Sequence, residues 1–408
     1  MSFDLSSRFA QRIGGRQFGQ SEQLYKFEKI KRAKAAARAA RPHVELLDFG
    51  VGEPDQMAPV PIREALKRAV DDPTNRGYAD NGIREFKVAA ARYMKEFFGV
   101  DLDPDTEINH SIGSKSALAM LPLCFVDPGD VVLTTVPGYP VLATHARYLG
   151  ATIVTLPLRE ENGFLPDLDA VPGDVLKRTK LIYVNYPNNP TGAVATPEFF
   201  DRLIAWAQAH NILIVHDAAY ATLVYDVPRL SILSRPGAKE CALELHSMSK
   251  SYNMTGWRLG FVAGPARAVR AFAEVKDNTD SGQFKAIQVA ACAGIADISL
   301  SDMIREHYRR RLVKLVDALR SVGFDACMPG GTFYLYVRAP RGAGDTDFPN
   351  AEVASQYLIR EWSVSTVPWD DVGAYLRFSA TFEARDERDE DRVVDELRRR
   401  LQAARLRF

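Results

Sequence analysis

Between residues 131 and 264 short apolar runs alternate with stretches of helical character: VVLTTV, TIVTLPL, KLIYVNYP, ILIVHD, CALELHS and GFVAG. A strand covered on both faces reads as a continuous apolar run, so this alternation predicts a buried, mostly parallel sheet with helices on both sides. In sheets of that kind ligands bind beyond the carboxyl ends of the strands. From about residue 303 the pattern changes. A long charged helix, MIREHYRRRLVKLVDALRSVG, leads into strand-like TFYLYV and AYLRFSA and a terminal helix through EDRVVDELRRRLQAARL, which together read as a smaller α+β unit. Near the start, FEKIKRAKAAARAAR is rich in helix formers and reads as a helix with a solvated basic face. With 408 residues, 46% of them hydrophobic, the chain can bury enough core for about two domains.

Charge and cysteine usage remove several function classes. Lys plus Arg and Asp plus Glu each total 52, so no net field draws in a polyanion and nucleic acid is not an expected partner. Cys124, Cys241, Cys292 and Cys327 are far apart and form no CxxC pair, which argues against a metal site or a disulfide framework and suits a reducing cytoplasm. The opening MSFDLSSRFAQRIGG lacks the apolar core of a signal peptide, and no apolar run approaches the roughly 18 residues needed to span a membrane. The expectation is a soluble, cytoplasmic protein with no membrane partner.

The strand ends carry the chemistry. NYPNNPTG follows one apolar run at Asn185, HDAAY follows another at His216 and Asp217, and SMSK follows a third at Ser247. Upstream, IGSKSALAMLPL puts Gly113, Ser114 and Lys115 where a helix should begin, with free backbone N–H groups and the positive end of the helix dipole open to an anion. Ser247, Ser249 and Arg258 add donors, and charge-assisted hydrogen bonds contribute on the order of 1.5 to 3 kcal/mol each, so the set suits a phosphate dianion. Lys250, desolvated, would lose its proton readily and could bond to an aldehyde. Asp217 needs a cation, and a protonated pyridine nitrogen would serve. Aldehyde, ring nitrogen and phosphate occur together in pyridoxal 5'-phosphate. Each residue alone has a plainer reading: Asp217 as a helix cap, Asn189 as a turn residue, Lys250 as a surface lysine. Their order at successive strand ends is what points to the cofactor.

In combination, NNPTG, HDAAY and SMSKSYNMTGWRLG resemble the fold-type I pyridoxal-phosphate aminotransferases, over residues 45–385. The resemblance implies a mostly parallel seven-stranded sheet between helices, with a smaller α+β domain. Residues 1–48 would join the small domain and the dimer contacts, 49–290 would form the large cofactor-binding domain, and 291–408 the small C-terminal domain. It implies that Lys250 carries the cofactor and later moves the proton between Cα and C4′, and that Asp217 pairs with the pyridine nitrogen. Asn189 and Tyr220 would hydrogen-bond the ring 3′-oxygen, and Tyr139 in PGYP would stack on the ring. Ser247, Ser249 and Arg258, with the amides near Ser114 and Lys115, would hold the phosphate. Tyr78 in RGYADNGIREF resembles the tyrosine that reaches the phosphate from a neighbouring subunit, which implies a homodimer with shared sites. Arg377 in AYLRFSA matches the arginine that takes the substrate α-carboxylate as a fork, and Gly52 in FGVGEPD matches the glycine whose backbone lies against the substrate. A dinucleotide fingerprint is rejected, because Asp55 stands where its third glycine belongs. Lys115 departs from the family, which often has a small residue there; it either pairs with the phosphate or faces the substrate.

SKSYNMTGWRLGF and GSKSAL are similar to both the alanine branch and the LL-diaminopimelate branch of the family, whereas NTDSGQFKAIQ, residues 278–288, is more similar to the latter. That branch implies LL-diaminopimelate as amino donor, 2-oxoglutarate as acceptor and a place in lysine biosynthesis; an enzyme for alanine or another small neutral amino acid is the alternative. In the diaminopimelate branch an acidic residue in the loop matching GYADNG comes from the partner subunit and meets the distal ammonium. Asp80 occupies that place, and its plainer reading is a loop-capping aspartate. A second zwitterionic end needs further donors and acceptors, for which Tyr25, Ser281, Gln283 and Lys285 are candidates. A transcription regulator on this fold would need a DNA-binding domain, and the short stretch ahead of LLDFGVGEPD is read as leaving no room for one. A lyase or decarboxylase stays open on the cofactor motifs alone. Arg377 favours transamination, since holding the carboxylate in the ring plane leaves Cα–H as the bond that breaks.

Overall fold

The computed structural model describes residues 3–20 and 26–408. All six apolar runs are strands, and a seventh joins them. In chain order they are β1 (Ile108–Ser111), β2 (Val131–Val136), β3 (Thr152–Pro157), β4 (Thr179–Asn185), β5 (Leu213–Asp217), β6 (Ala242–Ser247) and β7 (Gly260–Ala263). Across the sheet the order is β1-β7-β6-β5-β4-β2-β3, with β7 antiparallel to both of its neighbours and the remaining pairs parallel. Side chains of β6 and β7 are buried throughout, and helices cover both faces, which is why these strands read as unbroken apolar runs. β1 escaped the sequence reading because INHS is short and mostly polar. All four of its residues are nonetheless buried, paired from Ile108↔Ala263 to Ser111↔Gly260.

This strand order sets β4, β5 and β6 side by side, with Asn185 opposite Asp217 and His216 opposite Glu244, so their polar ends meet at one edge. Local signals fix the helices between them. Helix Pro197–His210 starts where Thr196 Oγ1 accepts from the Phe199 N–H, with proline in its first turn, and stops at Asn211 in a left-handed conformation.

A second, antiparallel sheet contains β8 (Tyr334–Arg338), β9 (Val367–Trp369) and β10 (Tyr375–Ser379) in the order β9-β10-β8. It shares a core with helices Ser299–Arg320 and Glu387–Ala403 through residues such as Leu312, Leu315, Leu376, Phe378 and Leu397. Helix Lys26–Ala40 lays Ile30, Ala33 and Ala37 against Ile359 and Trp369 of the same unit. Its basic face is less solvated than the sequence suggested: Lys29 pairs with Glu352 and Lys34 with Asp48, each at 2.6 Å, because the helix docks beside both carboxylates. The four cysteines are unpaired, and among the described residues no single helix is long and apolar enough to cross a membrane.

Candidate active site

The ends of β4, β5 and β6 border a cavity of about 310 Å³, closed on other sides by the start of helix Gly113–Phe125, by residues 52–53 and by β10. After β6 the chain makes the single helical turn Met248–Ser251, begun where Ser247 Oγ accepts from the Ser249 N–H at 3.3 Å. The turn swings Lys250 into the cavity, where its Nζ donates to the Gly52 carbonyl at 3.0 Å. Burial lowers the amine's pKa to about 7, with Glu53 opposing the fall and Arg258 and Arg377 adding to it.

Asp217 ends β5 as a buried carboxylate. Tyr183 donates its hydroxyl to Oδ2 at 3.1 Å and the Ala219 N–H reaches Oδ1 at 3.2 Å. Among the described residues no cation pairs with it, and burial raises its pKa. Such a group fits a protonated ring nitrogen, whose charge would restore the ionised form. Asn185 Nδ2 donates to the Asp217 carbonyl at 2.8 Å and Asn185 Oδ1 accepts from the Asn189 N–H at 2.9 Å, so the NNPTG turn is hung from the strand beside Asp217. Tyr220 shares a 3.1 Å hydrogen bond with Tyr334, and burial pushes its pKa far above the ordinary value, leaving it a neutral donor. Tyr139 borders the same cavity.

The anion cradle is built from glycine and arginine. Gly113 has φ +70°, and a Cβ there would strike the Arg258 guanidinium, so only glycine lets that cation close over the helix N-terminus. Arg258 Nη1 donates to Ser249 Oγ at 3.2 Å and to the Thr255 carbonyl at 2.8 Å. Ser114, Ser247 and Lys115 complete this end, with Lys115 largely exposed at the rim. Lysine, carboxylate and cradle together fit pyridoxal phosphate.

Across the cavity Arg377 is 3% exposed. Its Nη1 donates to Asn189 Oδ1 at 2.9 Å and its Nη2 to the Gly50 carbonyl at 3.1 Å, while the guanidinium lies 4.0 Å above the Tyr334 ring. Its buried Nε has no partner, leaving a donor for a substrate carboxylate. A Cβ at Gly52 would lie 2.9 Å from the Tyr334 hydroxyl and 3.5 Å from Arg377 Nη2, which explains glycine there.

Other expected residues stand apart. Tyr78 is 82% exposed, Asp80 is exposed, and neither borders the cavity. Their loop is fixed by its backbone and by Asn81: Lys276 Nζ donates to the Asp80 carbonyl, Asn81 Nδ2 to Asp277 at 2.6 Å, and Ile83 N–H to Gln288 at 2.8 Å. The Asp80 carboxylate makes no hydrogen bond among the described residues, so it does not cap this loop. Gln283 does not line the cavity; its amide donates to the carbonyls of Trp257 and Arg258 at 2.6 and 2.7 Å, holding the turn that presents Arg258. Ser281 and Lys285 do not border the cavity either, and Tyr25 lies outside the described residues. Tyr183, Asn185, Glu53, Thr255 and Tyr334 were not singled out as site residues. Asn185 had a signal, as the polar end of an apolar run; Tyr183 and Tyr334 looked like ordinary strand aromatics.

A family profile for class I and II aminotransferases matches residues 44–396. An LL-diaminopimelate aminotransferase of Methanocaldococcus jannaschii is 51% identical, with 99% of each chain covered. One from Methanococcus maripaludis is 51% identical over 97% of each. Among solved structures, substrate-bound BacF of Bacillus subtilis superposes with a TM-score of 0.86 at 31% identity, covering 95% of this chain and 97% of that one. A probable N-succinyldiaminopimelate aminotransferase of Thermus thermophilus gives 0.83 at 31% identity, covering 93% and 100%. A buried lysine and a buried aspartate at the strand ends, with an arginine of β10 across the cavity, thus sit in a chain that belongs to the class I and II aminotransferases.

Proposed function

We propose that this aminotransferase moves an amino group between LL-diaminopimelate and 2-oxoglutarate, as a cytoplasmic homodimer with shared sites, in lysine biosynthesis. The family depends on pyridoxal 5'-phosphate and acts on amino and 2-oxo acids. The observation that carries the chemistry is the convergence of a buried amine with pKa about 7, a buried carboxylate without a cation, and a guanidinium with a free N–H on one cavity. The substrate rests on the names of the full-length relatives. In this reading residues 49–290 hold the cofactor, and 291–408 with 1–48 form the smaller unit; the separate core around Leu312, Leu376 and Leu397 supports that division.

When bound, the cofactor supplies an electron-withdrawing ring that stabilises negative charge at the substrate Cα. Asp217 would keep a proton on the bound ring's nitrogen, and Tyr183, donating to its Oδ2, keeps Asp217 in place. Ser247, Ser249, Arg258 and the amides at Ser114 and Lys115 anchor the phosphate. Asn189 and Tyr220 donate to the ring oxygen. Arg377 grips the α-carboxylate and so turns Cα–H toward Lys250. The Lys250 amine, free near neutral pH, takes that proton and returns it. Tyr78 and Asp80 reach the site of the neighbouring subunit, Asp80 toward the distal ammonium. Tetrahydrodipicolinate formation from LL-diaminopimelate and 2-oxoglutarate, measured beside alanine and aspartate, tests the assignment. A preference for alanine would replace it.

A further inference from the structure

Residues 49–55 run from the short strand Leu47–Asp48 toward helix Val60–Val70 and belong to neither main sheet. Every carbonyl from Phe49 to Gly52 nevertheless accepts a hydrogen bond from the site or its supports. Ser379 N–H donates to Phe49 at 2.8 Å, Arg377 Nη2 to Gly50 at 3.1 Å and Thr381 Oγ1 to Val51 at 3.0 Å. Gly52 takes both Lys250 Nζ at 3.0 Å and the Tyr334 hydroxyl at 3.3 Å. The loop therefore helps to set where the Arg377 guanidinium lies. We infer that Asp55, acting through Arg311, is the positioning residue that registers this loop against β10 and so holds Arg377 in its carboxylate-binding pose.

The Asp55 side chain is 5% exposed and does not border the cavity, so it touches neither cofactor nor substrate. Tyr308 donates to its Oδ1 at 3.1 Å, His307 Nε2 lies 3.3 Å from Oδ2, and Arg311 Nη1 lies 3.1 Å from Oδ2. The histidine's tautomer follows from its other side: Arg310 Nη2, 3.3 Å from Nδ1, can only donate, so Nδ1 accepts and the ring N–H on Nε2 points at Asp55. Burial works to raise the Asp55 pKa, but His307 and Arg311 outweigh it and hold the carboxyl below the usual range. Arg311, 1% exposed, meets Asp55 as an ion pair, since its two Nη1 hydrogens go to the carbonyls of Ala380 at 3.0 Å and Phe382 at 2.7 Å, immediately after β10, and its Nε donates to Glu390 at 2.9 Å. One guanidinium thus ties the loop on one side of Arg377 to the strand end on the other. Glu390 also pairs with Arg311, although it is shared with Arg310 and Lys314, so Arg311 keeps a carboxylate partner when residue 55 is neutral. What Asp55 contributes is the loop's register, and small displacements of a binding group lower affinity steeply.

The inference rests on Arg377 taking the α-carboxylate, and its test separates the two. Calorimetry on the holoenzyme with glutarate, a dicarboxylate that cannot react, reads carboxylate binding directly. Asp55→Asn should raise the glutarate Kd and the amino-acid KM about tenfold, with kcat within about threefold, an unchanged visible cofactor band, and recovery in Asp55→Glu. A folded Asp55→Asn protein with wild-type Kd and KM would overturn the positioning role while leaving Arg377 intact. Arg377→Lys with unchanged glutarate binding would instead overturn the reading of Arg377 itself, and the inference with it. Should Asp55→Asn fail to fold, Tyr308→Phe removes one donor; it should weaken glutarate about threefold, and wild-type affinity there overturns the inference.

Discussion

The edge of the sheet where β4, β5 and β6 end and the loop at residues 77–83 offer the same kinds of group, tyrosine hydroxyl and carboxylate, in opposite settings. At the sheet edge Asp217 is buried, accepts from Tyr183 and Ala219, and has a raised pKa. In the loop Asp80 and Tyr78 stand in solvent on a backbone that is itself well held by Lys276, Asn81 and Gln288. Burial and hydrogen bonding make the first set a finished piece of chemistry within one chain. A well-held loop that presents unpaired side chains outward makes the second set useful only to something that docks there, as the neighbouring subunit of the proposed homodimer would.

The sharpest way to test the contrast is at the buried centre. Lys250→Ala should lower turnover by at least roughly 10⁴-fold, since it removes the proton-transferring base, and borohydride trapping with peptide mapping should place the label on Lys250 in the wild type. A label on another lysine would break the assignment. Asp217→Ala should cost roughly 10³-fold in single-turnover rate, with far less effect on folding, because a fixed anion is lost where ring charge must be held. A near-native rate would make Asp217 structural.

At the loop the effect should be smaller and selective. Asp80→Ala should lower kcat/KM for LL-diaminopimelate by roughly 10²-fold, as a desolvated distal ammonium loses its anion, and should barely change a small monoamino acid. Equal losses for both substrates would mean that Asp80 does not read the distal ammonium. Mixing Lys250→Ala with a turnover-impaired Tyr78→Phe should restore activity after subunit exchange; no recovery would place Tyr78 outside a shared site. Smallest is the pH effect. With a pKa of about 7 the Lys250 amine is mostly free base above neutrality, so cofactor uptake by the apoprotein should speed up roughly tenfold between pH 6 and 8 and then level off. An amine with an ordinary pKa would keep gaining rate toward pH 10.

Legibility in the sequence followed locality. The six apolar runs gave strands because burial on both faces leaves a continuous apolar signature, and the residues at or just past their ends gave Asp217, Ser247 and Lys250. β1 was illegible because His110 and Asn109 are polar residues buried by their neighbours rather than by their own character. Gln283 was misplaced for a related reason: its polar amide serves two backbone carbonyls of the Arg258 segment instead of a ligand. Tyr183 was hidden in the run KLIYVNYP, where only knowledge that Asn185 lies opposite Asp217 puts its hydroxyl on the same face as that carboxylate.

By itself the sequence determined which groups are available and in which order the strands deliver them, because strand and turn preferences act over a few residues. Only the tertiary structure decided how those groups are poised. Arg377 meets Asn189 across 188 residues of chain and Lys250 meets Gly52 across 198. The amine's lowered pKa, the free N–H on Arg377 and the Asp55–Arg311 tie all arise from desolvation and hydrogen bonds between distant segments. No local pattern encodes such contacts, since they come into being only when packing removes the water between the partners.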